Sequence, residues 1–292
     1  MKFDTPEDKA VFAKVVKNLP ALVQEKCGGY DEIYGYMIVP SSDPETAEYY
    51  DEAAAHAIIR KFCKGYKFQY AVVMEHLASV LKWRKEFNPL SAAFREVHNP
   101  ELVQVGMLTH YPEEKEANKK AVTWNIYGQL MKKKHLFKEA DKFLRYRIGL
   151  MERGLRLLDF TDASNDYLVQ VHDYKGTSMW RMDGEMKRCV KSIIHVFQEY
   201  YPELLAAKYF VYVPTFLSWV YDVIKQFVDE STRKKFVVLN DGKKLGKYLP
   251  HCPKSPYGGS DSKSLAEENI AEIRPSPYAL YLLEKQIVED VD

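Results

Sequence analysis

The sequence predicts an α/β protein in which a helical N-terminal module is followed by a mostly parallel sheet. Apolar residues recur at helical spacing through roughly the first ninety residues. Four short segments rich in β-branched and aromatic residues come later, and helical stretches fill the gaps between them. Strands that are separated by helices pair in parallel through right-handed crossovers, so these segments are expected to form one open sheet.

Three helices are predicted in the N-terminal module. Thr5 is placed to cap the first helix, which has acidic residues in its first turn and is expected to end before Pro20. The second and third helices are predicted over residues 46–64 and 69–87, where apolar residues keep the same spacing.

The four predicted strands follow a polar stretch in the middle of the chain. They cover residues 122–128, 167–174, 208–213 and 235–239. Residues 216–228 are predicted to form a helix that packs on the sheet, and the alternative is a mobile lid that touches membrane interfaces. A long irregular loop is expected beyond Pro250, before a final helix over residues 278–288.

Composition and charge exclude several classes of protein. The chain carries 42 Lys and Arg against 41 Asp and Glu, a formal net charge of +1, so no global field attracts it to nucleic acid. The 4 cysteines form no C-x-x-C pair, which is typical of reduced thiols in a cytosolic protein. The N-terminus lacks a signal-peptide pattern, so secretion is not expected. No Walker, Rossmann, nucleophile-elbow or zinc-protease motif is present, which argues against an enzyme.

Polar and aromatic side chains alternate along three of the predicted strands. The three rows are Gln170, His172 and Tyr174; Thr123, Asn125 and Tyr127; and Lys208, Phe210 and Tyr212. If these rows face the same space, they form a pocket with aromatic walls and a few polar groups, as small-molecule sites do. The alternative is that each polar group is satisfied within the core. The residues alone leave the two interpretations about equally open.

Several motifs follow one another in the order that is found in a known protein family. A Y-Y-P-E segment ending at Glu203, the helix at 216–228, a D-x-x-T-x-x-K step and the pair Gly258-Gly259 occur in sequence. They are similar to the CRAL-TRIO lipid-binding fold of the Sec-fourteen-like phosphatidylinositol transfer proteins, and the similarity covers nearly the whole chain. The resemblance implies a gate helix at 216–228 and an internal ligand pocket. It divides the chain into a helical N-terminal module (1–95), a CRAL-TRIO domain (96–266) and a C-terminal extension with a helix (267–292).

The resemblance also implies a binding site for the inositol headgroup. Its residues are Glu203, Thr232 and Lys235, which occupy the family's positions. A carboxylate accepts hydrogen bonds from inositol hydroxyls, and a lysine ammonium meets the phosphate. One position departs from the family, because Tyr66 stands where the R-x-R-K-F motif has its second arginine.

A haem-binding subgroup of the family shares further segments, such as V-H-D-Y-K-G around Tyr174. The resemblance implies that haem b with ferric iron is held non-covalently in the same cavity, through the Tyr174 phenolate. A tyrosinate is a hard anionic ligand that favours ferric iron. The other implied haem contacts are His172, Arg147, Tyr127, Lys208 and Tyr66.

These features together predict non-enzymatic binding and transfer of phosphatidylinositol between membranes, with roles in phosphoinositide homeostasis and the response to oxidants. The expected protein is a cytoplasmic monomer that contacts the endoplasmic reticulum or other membranes transiently. The main alternative is a haem-dependent redox enzyme, or an oxidant or haem sensor, without lipid transfer. A third interpretation is a lipid-presenting scaffold that stimulates a phosphoinositide kinase.

Overall fold

The computed structural model describes residues 3–177, 184–214, 228 and 230–291. All but the last residue of the predicted gate helix at 216–228 therefore lies outside the described residues. None of the helices in the described part of the chain combines the length and the apolar composition that a bilayer crossing requires.

Three long helices form the N-terminal part, as predicted. They are α1 (Pro6–Cys27), α2 (Glu52–Gly65) and α3 (Tyr70–Phe87). The Thr5 hydroxyl accepts a hydrogen bond of 3.1 Å from the Asp8 amide and caps α1.

The predicted end of α1 before Pro20 is wrong. The helix continues to Cys27 and ends at Gly28, whose φ of 57° is left-handed. Proline removes one backbone hydrogen bond and disfavours a helix interior. Leu19 and Val23 are buried on either side of Pro20, and the burial of this apolar face offsets that cost.

Short elements connect the N-terminal helices to the sheet. A hairpin of two short strands, β1 and β2, precedes α2, and two short helices, α4 and α5, follow α3. Their bounds are Glu32–Ile33 and Tyr36–Met37 for the strands, and Pro89–Phe94 and Pro100–Val103 for the helices.

The main sheet has five strands in the order β3-β4-β5-β6-β7. Four of them match the predicted strands, are parallel to one another and are joined in part by helices. The fifth, β3, was not predicted and pairs antiparallel with β4 at the edge. The strands are β3 (Gly106–His110), β4 (Ala121–Asn125), β5 (Leu168–Asp173), β6 (Leu205–Val211) and β7 (Phe236–Leu239).

Helices follow most of the strands. They are α6 (Tyr127–Leu130), α7 (Ala140–Leu155), α8 (Gly184–Tyr200), α9 (Glu230–Arg233), α10 (Lys254–Tyr257), α11 (Leu265–Glu268) and α12 (Pro277–Val291). The stretch beyond Pro250, predicted as an irregular loop, thus contains two short helices.

The segment after α11 covers the free edge of β3. The Ile270 amide donates to the Leu108 carbonyl at 2.8 Å, and the Leu108 amide donates to Asn269 Oδ1 at 2.9 Å. The C-terminal part of the chain therefore supplies hydrogen-bond partners that an edge strand otherwise lacks.

The two faces of the sheet are covered by different elements. On one face α7 packs so closely that a Cβ on Gly154 would lie 3.0 Å from Thr123 Cγ2. On the other face Tyr257 of α10 lies 4.9 Å from the ring of Trp124 and donates a hydrogen bond to Asp173. Gln170 and His172 of β5 share the face of Thr123 and Asn125, because those residues are register partners.

A buried charge network joins the N-terminal helices to α7. Arg84 of α3 is 0% exposed and donates to Glu32 at 2.7 Å and to Glu152 at 2.6 Å. The Tyr201 hydroxyl donates to the same Glu152 carboxylate at 2.6 Å. We call these four residues the Arg84 network. One apolar core surrounds it, with residues from α1, α2, α3, α7 and α8.

Candidate ligand-binding site

A cavity of about 790 Å³ lies between the sheet and the helices α7 and α8. This volume is within the range of about 300 to 1,000 Å³ that is usual for ligand pockets. Its helical walls are mainly apolar and include Met151, Met186, Val190, Ile193 and Phe197. The cavity can therefore hold a large apolar ligand.

The predicted row on β5 faces this cavity. Gln170, His172 and Tyr174 all line it, and so does Lys208, the register partner of Gln170 on β6. The alternation of polar and apolar residues along β5 thus located the sheet side of the cavity correctly.

The other two rows follow the prediction only in part. Tyr127 lines the cavity from α6, but Thr123 and Asn125 do not. Tyr212 turns away from it, because its backbone has a φ of 55° and its hydroxyl donates to the Pro256 carbonyl. Phe210 is not among the lining residues either. At Tyr212 the alternation ends because the backbone leaves the sheet, whereas Thr123 lies within β4 and is covered by α7.

Three cationic or basic side chains meet in the cavity without an acidic partner among the described residues. Arg147 Nε and His172 Nε2 are buried and have no hydrogen-bond partner there. The Lys208 ammonium lies near the rings of Phe210 and Phe236, at 5.6 Å and 5.8 Å. Unpartnered buried polar atoms are costly and Arg147 is a cation, so this end of the cavity is suited to an anionic group.

The same environment shifts the pKa values of Lys208 and His172. Lys208 is half-buried, because its side chain faces the cavity. Its ammonium is desolvated there and is repelled by the positive charge of Arg147, and these two effects lower its pKa to about 7. Desolvation, Lys208 and Arg147 lower the pKa of His172 well below its usual value. His172 is therefore neutral at pH 7.

Tyr174 lies at the centre of an aromatic cluster. Its ring is stacked with Tyr127 at 5.7 Å and with Phe210 at 6.5 Å, and its side chain is buried. Burial and the neighbouring Tyr127 raise the pKa of the Tyr174 phenol, while Arg147 opposes that rise. The phenol stays protonated unless a bound metal ion stabilises its anion.

The predicted headgroup residues come together along the same cavity. Glu203, Thr232 and Lys235 all line it, although they come from three separate segments. The Glu203 carboxylate is not free, because Lys64 contacts it at 2.8 Å and the Tyr167 hydroxyl donates to it at 3.1 Å. Lys64 and Tyr167 were not predicted as site residues, since no local motif connects them.

Tyr66 lies beside the headgroup residues. Its ring stacks on His76 at 3.8 Å and its hydroxyl donates to the Glu199 carbonyl at 3.4 Å. Glu199 precedes β6, whereas Tyr174 follows β5, so the two tyrosines lie at opposite ends of these parallel strands. The implied contact between Tyr66 and haem stays a prediction.

Replacing Lys208 with methionine is expected to raise the free energy of unfolding of the ligand-free protein, most strongly below pH 7. The pKa of Lys208 is lowered from its usual 10.5 to about 7 in the folded protein. Between these two pH values the unfolded chain therefore binds more protons than the folded protein does. Wild-type stability therefore rises with pH in this window, and the advantage of Lys208→Met shrinks. Urea unfolding at several pH values measures the difference.

The matched control for this experiment is Lys244→Met, at an exposed lysine on the other side of the sheet. Its substitution should change the unfolding free energy little, as substitutions at exposed surface positions do. A Lys208→Met difference that stays constant from pH 6 to pH 10 would contradict a desolvated ammonium at position 208.

Comparison with known proteins agrees with this arrangement. The family model described as "CRAL/TRIO domain" matches residues 108–259. The chain belongs to the CRAL-TRIO family. The matched residues include the whole parallel sheet and every cavity residue on it. The resemblance that the motifs indicated is thus confirmed, and so is the α/β fold class.

Several full-length CRAL-TRIO relatives are similar to the chain. "Phosphatidylinositol transfer protein SFH5" of Saccharomyces cerevisiae (strain S288c) is 57% identical over 100% of both chains, and that of Candida glabrata is also 57% identical over 100% of both. The Candida albicans protein with the same name is 36% identical over 96% of this chain and 90% of its own. A solved structure, "Crystal structure of Sfh5", has a TM-score of 0.96 at 57% identity, and covers 99% of this chain and 100% of its own.

Proposed function

We propose that this CRAL-TRIO protein binds phosphatidylinositol in the cavity and transfers it between membranes. One observation carries the proposal: Glu203, Thr232 and Lys235 converge on a largely apolar cavity. The relatives named as phosphatidylinositol transfer proteins support it. Transfer needs binding and release but no covalent step, so the protein acts as a carrier and not as an enzyme.

Each part of the cavity has a role in this proposal. The Glu203 carboxylate accepts hydrogen bonds from inositol hydroxyls, and the Lys235 ammonium neutralises the phosphate. The apolar walls from α7 and α8 hold the acyl chains, whose removal from water supplies most of the binding energy. The lipid is bound only when headgroup and chains fit together.

Replacing Glu203 or Lys235 with alanine is expected to lower the rate of phosphatidylinositol transfer between vesicles about 10-fold or more. A hydrogen bond to a charged group contributes about 1.5 to 3 kcal/mol, which corresponds to that loss. Lys244→Ala, an exposed lysine outside the cavity, is the control. Transfer at the wild-type rate in both cavity variants would show that the headgroup binds elsewhere.

We also propose that the cavity binds haem b non-covalently, with Tyr174 as the ligand to iron. The polar groups fit this ligand: Arg147 Nε and His172 Nε2 lack partners, and Lys208, with a pKa of about 7, is protonated in part at neutral pH and more fully beside an anion. Arg147 and Lys208 can pair with the propionates, while Tyr127 and His172 pack beside Tyr174. When bound, haem supplies a ferric iron that replaces the phenol proton.

The cellular role that follows is lipid exchange by a cytoplasmic monomer that visits the endoplasmic reticulum or other membranes, in phosphoinositide homeostasis and the oxidant response. A phosphoinositide kinase is the partner that a lipid-presenting role requires.

The alternative, a haem-dependent redox enzyme or sensor, requires peroxide turnover faster than that of free haemin. Neutral His172 is the only histidine among the described cavity residues, and it lies beside the proposed iron ligand.

A further inference from the structure

A cluster of charged residues surrounds the ring of Tyr167 where the N-terminal helices meet the cavity. Three lysine ammonium groups lie within 6 Å of this ring: Lys61 at 3.5 Å, Lys64 at 5.6 Å and Lys235 at 5.7 Å. Asp166 and Glu203 are the carboxylates that pair with them. We call these six residues the Tyr167 cluster.

The charge of the Tyr167 cluster does not balance. Three ammonium groups and two carboxylates leave one positive charge when all five are ionised. A phosphodiester carries one negative charge, so one such group would neutralise the cluster. This match concerns the phosphate and not the inositol ring.

Lys61 and Lys64 are held very differently. The side chain of Lys61 is 4% exposed, and its ammonium donates to Asp166 at 2.9 Å and to the Glu203 carbonyl at 3.2 Å. The side chain of Lys64 is 47% exposed, and its ammonium contacts only side-chain atoms of Glu203 and Tyr167 among the described residues. Lys61 is therefore fixed, and Lys64 can exchange its partner by rotating its own side chain.

One oxygen of the Glu203 carboxylate is already occupied in the lipid-free protein. Its Oε2 atom already accepts from both Lys64 and Tyr167. Burial raises the pKa of the Glu203 carboxyl, but the hydrogen bond from Lys64 and the charges of Lys235 and Lys64 together lower it below its usual value. In the lipid-free protein Lys64 thus takes up one of the two carboxylate oxygens that inositol hydroxyls could use.

We propose that Lys64 is a further ligand-binding residue that exchanges partners when the lipid binds: its ammonium leaves Glu203 and moves to the lipid phosphate. The exchange frees Glu203 for inositol hydroxyls and places a cation on the phosphate. Lys64 stands two positions before Tyr66, whose ring is stacked on His76. The inference rests on the proposed phosphatidylinositol binding, and it adds a residue and a step to that site.

Vesicle transfer assays test the exchange with three variants. Lys64→Met keeps the length of the side chain without its charge and is expected to slow phosphatidylinositol transfer about 10-fold, as loss of a charged hydrogen bond does. Lys64→Arg keeps the charge and is expected to retain most of the wild-type rate. Lys17→Met, at an exposed lysine of α1, is the matched control and should transfer lipid normally.

A second measurement separates exchange from a purely structural role of Lys64. In a crystal structure with phosphatidylinositol bound, Lys64 Nζ should lie closer to a phosphate oxygen than to Glu203 Oε2. Inorganic phosphate added in its place should leave the Lys64–Glu203 pair intact, since it lacks the inositol hydroxyls that replace Lys64 at Glu203.

The outcomes distinguish this inference from the proposed function. If wild type transfers phosphatidylinositol and Glu203→Ala does not, but Lys64→Met matches wild type, the exchange is wrong and the headgroup site stands. A bound structure that keeps the Lys64–Glu203 contact overturns the exchange as well. Absence of transfer by the wild type overturns both.

Discussion

Replacing Arg84 with methionine is expected to lower the free energy of unfolding by about 3 to 5 kcal/mol, because it leaves buried carboxylates without their cation. Glu32 is 0% exposed and Glu152 is 2% exposed, and Arg84 donates to both. The hydrogen bonds from Tyr201 to Glu152 and from Tyr30 to Glu32 remain, but they are neutral donors. Urea unfolding at pH 7 measures the loss.

An exposed Arg–Glu pair provides the control for Arg84→Met. Arg188 is 76% exposed in its side chain and lies 4.0 Å from Glu185. Surface pairs of this kind contribute about 0 to 1 kcal/mol, so Arg188→Met should change stability little. Equal effects of the two substitutions would mean that the Arg84 network does not stabilise the junction of α3 and α7.

Replacing Tyr174 with phenylalanine is expected to abolish the Soret band of protein loaded with haem, or to shift it to that of non-specifically bound haemin. Phenylalanine keeps the ring that stacks on Tyr127 and Phe210 but removes the only oxygen of this side chain. Iron would lose its proposed anionic ligand, while the cavity keeps its shape. The visible spectrum of wild type and variant, loaded under the same conditions, is the measurement.

Tyr209→Phe is the matched control for this spectrum. Tyr209 is also a buried tyrosine of the sheet, but it is absent from the cavity wall and packs 5.3 Å from the ring of Tyr248. Its substitution should leave the Soret band unchanged. A Tyr174→Phe protein with the wild-type spectrum would exclude a tyrosinate ligand at this position, and a wild type that binds no haem would exclude the cofactor.

The parallel strands and one wall of the cavity could be predicted from local patterns. Alternation along β5 assigned Gln170, His172 and Tyr174 to one face, because side-chain direction in a strand depends on position alone. The motifs around Glu203 and Lys235 indicated the headgroup residues through a family resemblance. Short-range physical rules and recognisable segments were enough for these features.

Contacts between distant segments could not be predicted in this way. Lys64 and Glu203 are 139 positions apart by their numbering, and Arg84 reaches Glu152 from another helix, so no spacing rule links either pair. The continuation of α1 through Pro20 likewise depends on the core that its apolar face meets. In each case tertiary packing outweighs the local preference.

The segment at residues 269–270 that lies along β3 also affects how copies of the protein meet one another. An uncovered outer strand presents a row of free amides and carbonyls, which can template pairing with the strand of another molecule. In this protein the amide and the carbonyl of Leu108, at the middle of that row, are hydrogen-bonded to Asn269 and Ile270. The pairing therefore leaves fewer free backbone groups at this edge for a strand of another molecule to use, and this effect is independent of the cavity.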